Sequence, residues 1–226
     1  MENKDAKIIT VSNLKGGVGK SFITSTFALK LKKLKMKVLV IDSDNKQRTI
    51  QMVQERDKNR GILLDDCYDV LPANSLDAVE YVPQLIKDYD YIFIDLPGNF
   101  EQPGVLSAIL LSDHIFVSTS LSDDDLDSTT KYLELLYSDI IPARKKIGLE
   151  TKITGVLFRV NIKTIEYKQF MKNKEDLPIS FMKNVIPDSP VLSRENSTSI
   201  LSAYESKNFI MADFLNEFYK VVKTKN

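Results

Sequence analysis

One arrangement constrains this 226-residue chain more than any other: a short β-branched run, then a glycine loop, then a helix-compatible stretch. Lys7 to Ser12 read KIITVS, and the loop behind them holds Gly16, Gly17 and Gly19. From about Lys20 to Lys33, with Ile23, Phe27, Leu31 and Leu34 at helical spacing, the pattern predicts a helix. Glycines there let the backbone curl until several N–H groups face one point. The helix N-terminus adds the positive end of its dipole, and the sum attracts phosphate. Lys20 supplies a charge for the β and γ phosphates of a nucleotide, and Ser21 a hydroxyl for Mg²⁺.

Further strand-like runs follow at Lys37 to Asp42, Tyr91 to Asp95, His114 to Ser120 and Ile153 to Val160. Helix-like stretches lie between them, from near Ser75 to Lys87 and from near Ser122 to about Tyr137, with Ser122 or Asp123 as N-cap. The alternation predicts an α/β fold, a mostly parallel sheet with helices on both faces, as one domain over residues 1–226. Ligands of such sheets bind at the carboxyl ends of the strands. Three chemically loaded clusters fall there: Leu14 to Ser21, Asp42 to Gln47 and Asp95 to Gly104. A strand-end carboxylate opposite a phosphate loop, Asp42 or Asp44, can hold a Mg²⁺-bound water or orient an attacking one. Asp95 ends an apolar strand, poised for the same water shell.

Composition removes several alternatives. Lys plus Arg and Asp plus Glu are equal at 31, although residues from Thr151 onward carry twelve basic against eight acidic side chains. Cys67 is the single cysteine, so neither an internal disulfide nor a multi-cysteine metal site is available. Cys67 is read as a packed residue near Tyr68, and His114, the single histidine, as structural. No apolar run approaches the ~20 residues of a membrane span, and the charged MENKDAK start does not read as a signal peptide.

The loop departs from G-x-x-x-x-G-K-[ST], because Leu14 stands at the first glycine position. Lys15-Gly16-Gly17-Val18-Gly19-Lys20-Ser21 instead resembles the deviant Walker A loop of the ParA/MinD ATPases, a P-loop NTPase type. Phe22 stands where that family usually has Thr. The resemblance implies ATP and Mg²⁺ as cofactors, with Lys15 through Phe22 around the phosphates. It implies Ser21, Asp42 and Asp95 near the metal and Lys15, Lys20 and Asp44 in catalysis. Asp42-Ser43-Asp44-Asn45-Lys46-Gln47 is similar to the family's D-x-D-P-Q, without its proline and with Gln47 one residue late. Pro97 and Gly98 resemble the turn that senses the γ phosphate, and 99–104 a switch segment. Arg159 or Asn161, with Pro187 and Asp188, would lie by the adenine. Lys15 would reach across to the ATP of a second subunit.

Competing readings can be weighed on the same residues. Asn173-Lys174-Glu175-Asp176 matches the N-K-x-D of GTPases, yet follows a polar, helix-like stretch rather than a buried strand, and reads as a solvated helix end. The terminal segment from Phe209 is amphipathic, with Met211, Phe214, Leu215, Phe218 and Val222 on one side. Its other side mixes acids and bases, so it is read as packing on the sheet rather than on a membrane. The chain resembles short ParA-type partition proteins. That implies a homodimer on ATP binding, non-specific DNA contact and a centromere-binding, ParB-like adaptor, in the cytoplasm on the nucleoid. Lys163, Lys168, Lys172, Lys183, Arg194, Lys207 and Lys220 are the candidate DNA contacts. A MinD-like ATPase at a membrane surface and a non-hydrolysing ATP-gated scaffold are the alternatives.

Overall fold

The computed structural model describes residues 5–44, 48–61, 67–190, 192 and 210–223. Strand β1 (Lys7–Ser12) leads through the glycine loop into α1 (Lys20–Lys33) and on to β2 (Val38–Asp42). Then come α2 (Thr49–Asn59), β3 (Asp69–Pro72), α3 (Ser75–Leu85) and β4 (Tyr91–Asp95). They are followed by α4 (Val105–Leu110), β5 (His114–Thr119), α5 (Asp123–Leu135), α6 (Ile141–Lys146) and β6 (Lys152–Val160). The last described elements are α7 (Ile165–Asn173), β7 (Ser180–Phe181), β8 (Ile186–Pro187) and α8 (Ala212–Lys223).

The strands stand in the order β3-β2-β4-β1-β5-β6-β7, with β8 beside β6, and every described pair is parallel. Strand β1 therefore lies centrally, with β4 on one side and β5 on the other. Its glycine loop opens where the chain turns first toward β2 and later toward β5, the crevice where such sheets bind ligands.

Successive strand residues feed two cores, as a doubly covered parallel sheet requires. Ile9, Val11, Val40, Phe93 and Phe116 pack with α1, α2 and α8. Ile8, Leu39, Ile41, Ile92, Ile94, Ile115 and Val117 pack with α3, α4 and α5 on the other face. Helix α8 is locked onto α1 by Phe218, whose ring stacks on Phe27 at a centroid distance of 3.6 Å. Lys7 and Lys152 donate to its last carbonyls, Val222 and Val221, at 2.8 and 3.3 Å. The apolar side of this helix is thus buried: Phe214, Leu215, Phe218 and Val222 are at most 2% exposed.

Some elements differ from the sequence reading. Ser122 does cap α5, its hydroxyl accepting from the Asp125 N–H at 3.3 Å. The helix does not stop near Tyr137, however. It widens into a π-helical turn over Leu136–Ile140 and continues as α6. Pro142 sits in the first turn of that new segment, just after the π-helical turn. Arg144 of α6 is 2% exposed and donates to the Leu110 carbonyl (2.6 Å), Asp113 (2.9 Å) and the Glu150 carbonyl (3.1 Å). Asn173 ends α7 and Lys174–Asp176 form a 3₁₀ turn, so N-K-x-D is a helix end away from the glycine loop.

His114 is buried, stacked on Phe116 at 4.1 Å, with its Nε2 2.9 Å from the Thr154 hydroxyl. Burial, with Lys152 and Lys7 nearby, pushes the imidazole from 6.5 down to about 3. Above 6.5 it is neutral in folded and unfolded chains alike. As pH falls from 6.5 toward 3, the unfolded chain takes up a proton that the folded one refuses. Stability is therefore lost on acidification, by about 1.4 kcal/mol per pH unit. In urea titrations at roughly pH 6 and 4, His114→Gln is expected to flatten that slope relative to the native chain. Identical slopes would contradict this account of His114.

Candidate functional site

The loop is held from behind before it can hold anything in front. Asn13, fully buried at the end of β1, donates to the Ser118 carbonyl and to the Thr129 hydroxyl, both at 2.8 Å. Its Oδ1 accepts from the Lys15 N–H at 3.3 Å. The Ser118 hydroxyl donates to the Val18 carbonyl. Gly17 and Gly19 have φ of 80° and 81°, the left-handed region where a Cβ is strained. At Gly19 there is also no space, since a Cβ would stand 2.6 Å from the Phe158 ring. A cleft of about 250 Å³ opens in front, lined by Gly16, Gly17, Gly19, Lys20, Ser21 and Phe22 of the loop and α1, with Asp44, Gly98 and Arg159 opposite.

Lys20 begins α1 and is 7% exposed; its ammonium donates to the Lys15 carbonyl at 2.9 Å. Burial lowers its pKa, and the charges of Asp95 and Asp44 pull it partly back. A cation so placed gains by meeting phosphate. Gly98 lies close: a Cβ there would be 3.6 Å from the Gly16 Cα and 3.7 Å from the Lys20 amine. The turn after β4 therefore packs against the glycine loop beside the Lys20 amine.

Parallel register sets Asp42 directly beside Asp95 at the ends of β2 and β4. Both are 0% exposed. Neither oxygen of Asp95 makes a close hydrogen bond among the described residues, nor does Oδ1 of Asp42, although the Ser21 and Thr24 hydroxyls lie near enough to Asp95 to favour its charged form. Burial pushes the Asp95 carboxyl from 3.8 up to about 7, which the nearby Ser21 hydroxyl and Lys20 ammonium only partly offset. Burial raises Asp42 as well. Its Oδ2 accepts from the Ile50 and Gln51 N–H groups at 3.1 and 3.0 Å, so Asp42 also closes the first turn of α2. That second duty had no sign in the sequence. Two buried carboxylates with unpaired oxygens, beside a serine hydroxyl, fit a Mg²⁺ ion that keeps several waters. The described residues hold no cluster of three or more His, Cys, Asp or Glu, so phosphate and water would complete its shell.

The other expected residues divide. Asp44 lines the cleft, half-buried, while Gln47 lies outside the described residues. Arg159 has φ +55° at a bulge between β6 and β8, and its guanidinium stands 5.2 Å from the Phe158 ring centroid. Bulges of this kind re-aim side chains near sites. Asn161, Pro187 and Asp188 line a second opening of about 560 Å³, not the cleft of the loop. Lys15 does not line the cleft with its side chain. Its ammonium pairs with Asp125 at 2.6 Å and Asp124 at 3.8 Å. The sequence reading missed Asn13, Phe158 and Asp125. Phe22 and Phe158 were signalled only by Phe22's departure from Thr; their rings meet edge to face at 5.4 Å.

The fold and this site define a phosphate-loop nucleotide-binding domain with paired acidic strand ends. The model of the CobQ/CobB/MinD/ParA nucleotide binding domain matches residues 9–201, and the chain belongs to that family. It is 24% identical over 243 aligned residues to the septum site-determining protein MinD of Thermotoga maritima, across 92% of this chain and 85% of that one. The solved MinD of Pyrococcus horikoshii OT3, complexed with Mg-ADP, superposes with a TM-score of 0.69 at 21% identity, covering 96% of each chain. The structure of pNOB8 ParA bound to nonspecific DNA superposes at 0.71 and 18% identity, over 98% of this chain and 100% of that one. At these identities the two superpositions establish the shared fold.

The Asp95 carboxyl carries a testable cost. Below 3.8 it is protonated in both states. Between 3.8 and 7 the unfolded chain ionises while the folded one keeps its proton, so stability falls as pH rises and stays low above 7. Asp95→Asn removes this cost, on the order of 4 kcal/mol for a fully buried group. Without nucleotide at pH ~8 the variant is expected to melt higher than the native chain, and Mg²⁺ with ATP should no longer raise its melting point as it does the native one's. A variant that melts lower and still responds to Mg²⁺ would contradict the assignment.

Proposed function

We propose that the chain, read as one ATPase domain, is a slow Mg²⁺-dependent ATPase that works as an ATP-driven dimerisation switch in plasmid or chromosome partition. The observation that carries the ATPase reading is the pair of buried, under-partnered carboxylates Asp42 and Asp95 beside Lys20 and Ser21. Lys20 neutralises phosphate charge, and the loop N–H groups orient the phosphates. Mg²⁺, held by Ser21 and by Asp42 and Asp95 directly or through water, would supply further charge neutralisation. Asp44, at the mouth of the same cleft, orients the attacking water. Lys15 crosses to the nucleotide of a second copy, so turnover requires pairing. Catalysis of this kind is positioning and electrostatics rather than covalent chemistry.

Family membership leaves partition and septum-type positioning both open, since MinD and ParA proteins are among the chain's relatives. The buried apolar side of α8 supports the DNA reading, because that face is engaged with α1 and the sheet. Lys163, Lys168, Lys172, Lys183 and Lys220 are exposed; Arg194 and Lys207 lie outside the described residues. The paired form would bind non-specific DNA on the nucleoid in the cytoplasm, and a centromere-binding adaptor would stimulate hydrolysis and release. The membrane alternative rests on the MinD relatives. No described helix is long and apolar enough to cross a bilayer, which does not bear on surface binding.

Asp44→Ala is expected to bind ATP and stay paired while hydrolysis falls at least ~100-fold, read by phosphate release and light scattering. Normal hydrolysis by that variant would remove Asp44 from the mechanism. With ATP and Mg²⁺ present, binding to non-specific duplex DNA that weakens steeply with salt is expected. Flotation with anionic liposomes and no DNA shift would favour the membrane reading instead. Pairing without any turnover, even with DNA and adaptor, would leave a scaffold.

A further inference from the structure

Between β4 and α4 the chain runs Gly98-Asn99-Phe100-Glu101-Gln102-Pro103-Gly104, and Phe100 is its one large apolar side chain. A glycine contact pins each end. Gly98 stands against the loop, where a Cβ would lie 3.6 Å from the Gly16 Cα and 3.7 Å from the Lys20 amine. Gly104, at φ +87°, lies so close to the first turn of α3 that a Cβ would meet the Leu76 nitrogen at 2.5 Å. Between these ends Asn99, Glu101 and Pro103 are exposed. Phe100 is half-buried, and its ring meets Tyr132 of α5 edge to face at 5.2 Å.

Tyr132 is fixed from its other side. It is fully buried, with its hydroxyl 2.5 Å from the Ser12 hydroxyl at the end of β1. One turn earlier on α5, the Thr129 hydroxyl accepts from the Asn13 amide at 2.8 Å. Helix α5 thus fastens the start of the glycine loop through Ser12 and Asn13, and the same Tyr132 seats Phe100. The loop and the segment after β4 share one point of reference. A single apolar side chain decides where a polar segment rests, because its contact must offset the entropy lost on ordering the segment.

We propose that Phe100 and Tyr132 are positioning residues that hold Gly98 beside Lys20 and so set how strongly the site prefers a nucleoside triphosphate to a diphosphate. This rests on the reading of the cleft as a nucleotide site. A terminal phosphate drawn to Lys20 has to share its surroundings with the backbone at Gly98. With the segment already seated, that phosphate meets ordered backbone. With the segment loose, binding must order it first, at a cost in affinity. A diphosphate ends short of that space and is spared the cost.

Equilibrium titration of the full chain with Mg²⁺, against ADP and against a slowly hydrolysed ATP analogue, gives the ratio of the two dissociation constants. Phe100→Ala is expected to weaken the analogue about tenfold and ADP less than twofold. Tyr132→Leu, which removes the ring from the other side, is expected to lower the ratio equally, and the double variant no further. Tyr132→Phe keeps the ring and loses the Ser12 hydrogen bond, so it is expected to melt lower with the native ratio. Equal weakening of ADP and the analogue by Phe100→Ala overturns the proposal, as does an unchanged ratio. A Tyr132→Phe ratio as low as that of Tyr132→Leu also overturns it, since the hydroxyl and not the ring contact would then be responsible. A native chain that binds neither nucleotide would refute the nucleotide reading itself, a failure distinguishable from that of Phe100 and Tyr132.

Discussion

Two carboxylates placed side by side in the interior, Asp42 and Asp95, are the constraint around which this molecule is arranged. Parallel register brings them together, and complete burial denies them water. A folded chain tolerates such a pair only with compensation. Asp42 obtains part of it from two N–H groups of α2, and Lys20 supplies a cation nearby. The remainder is missing, and burial pushes the Asp95 carboxyl up to about 7. A divalent cation brought in with phosphate would complete the compensation. Binding energy is thereby stored in the unliganded fold as uncompensated charge.

Around that pair the scaffold removes freedom from the parts that must not move. Asn13, Ser118 and Thr129 tie the glycine loop to β5 and α5. Phe158 closes over Gly19, and Phe22 packs against Phe158. The Phe22 departure and the Phe158 contact over Gly19 are thus one packing solution. The bulky Phe22 is accommodated because the end of β6 offers it an aromatic partner. The same bulge turns Arg159 toward the cleft.

What the sequence made legible was what periodicity and local chemistry encode. The glycine loop, the apolar strand ending in Asp95 and the alternation of strand and helix were readable from spacing alone. So was the packing of α8, whose apolar stripe is matched by Phe27 and Phe116. Helix α2 was not readable: its sequence is polar, only Ile50, Val53 and Asp57 are buried, and it starts where Asp42 receives it. Strand β3 is a four-residue edge with mixed exposure, and β7 and β8 have two residues each, too short for a period to show. The continuation through Leu136–Ile140 was hidden because Pro142 normally signals a stop. Asp125 was invisible for another reason. Its ion-pair partner is Lys15, 110 residues away, and only the packing of α5 beside the loop brings them together.

The loop with two lysines therefore holds two cations in different states. Lys20 faces the cleft and its buried acids, while Lys15 is turned aside toward Asp125 on α5. On this account the nucleotide draws on the first directly and on the second only when another copy arrives. Sedimentation velocity of the native chain tests that claim most directly, comparing Mg²⁺ with an ATP analogue, Mg²⁺ with ADP, and the analogue without Mg²⁺. The account expects twice the 25.7 kDa chain mass in the first condition and a single chain in the other two. The same mass in all three would contradict it.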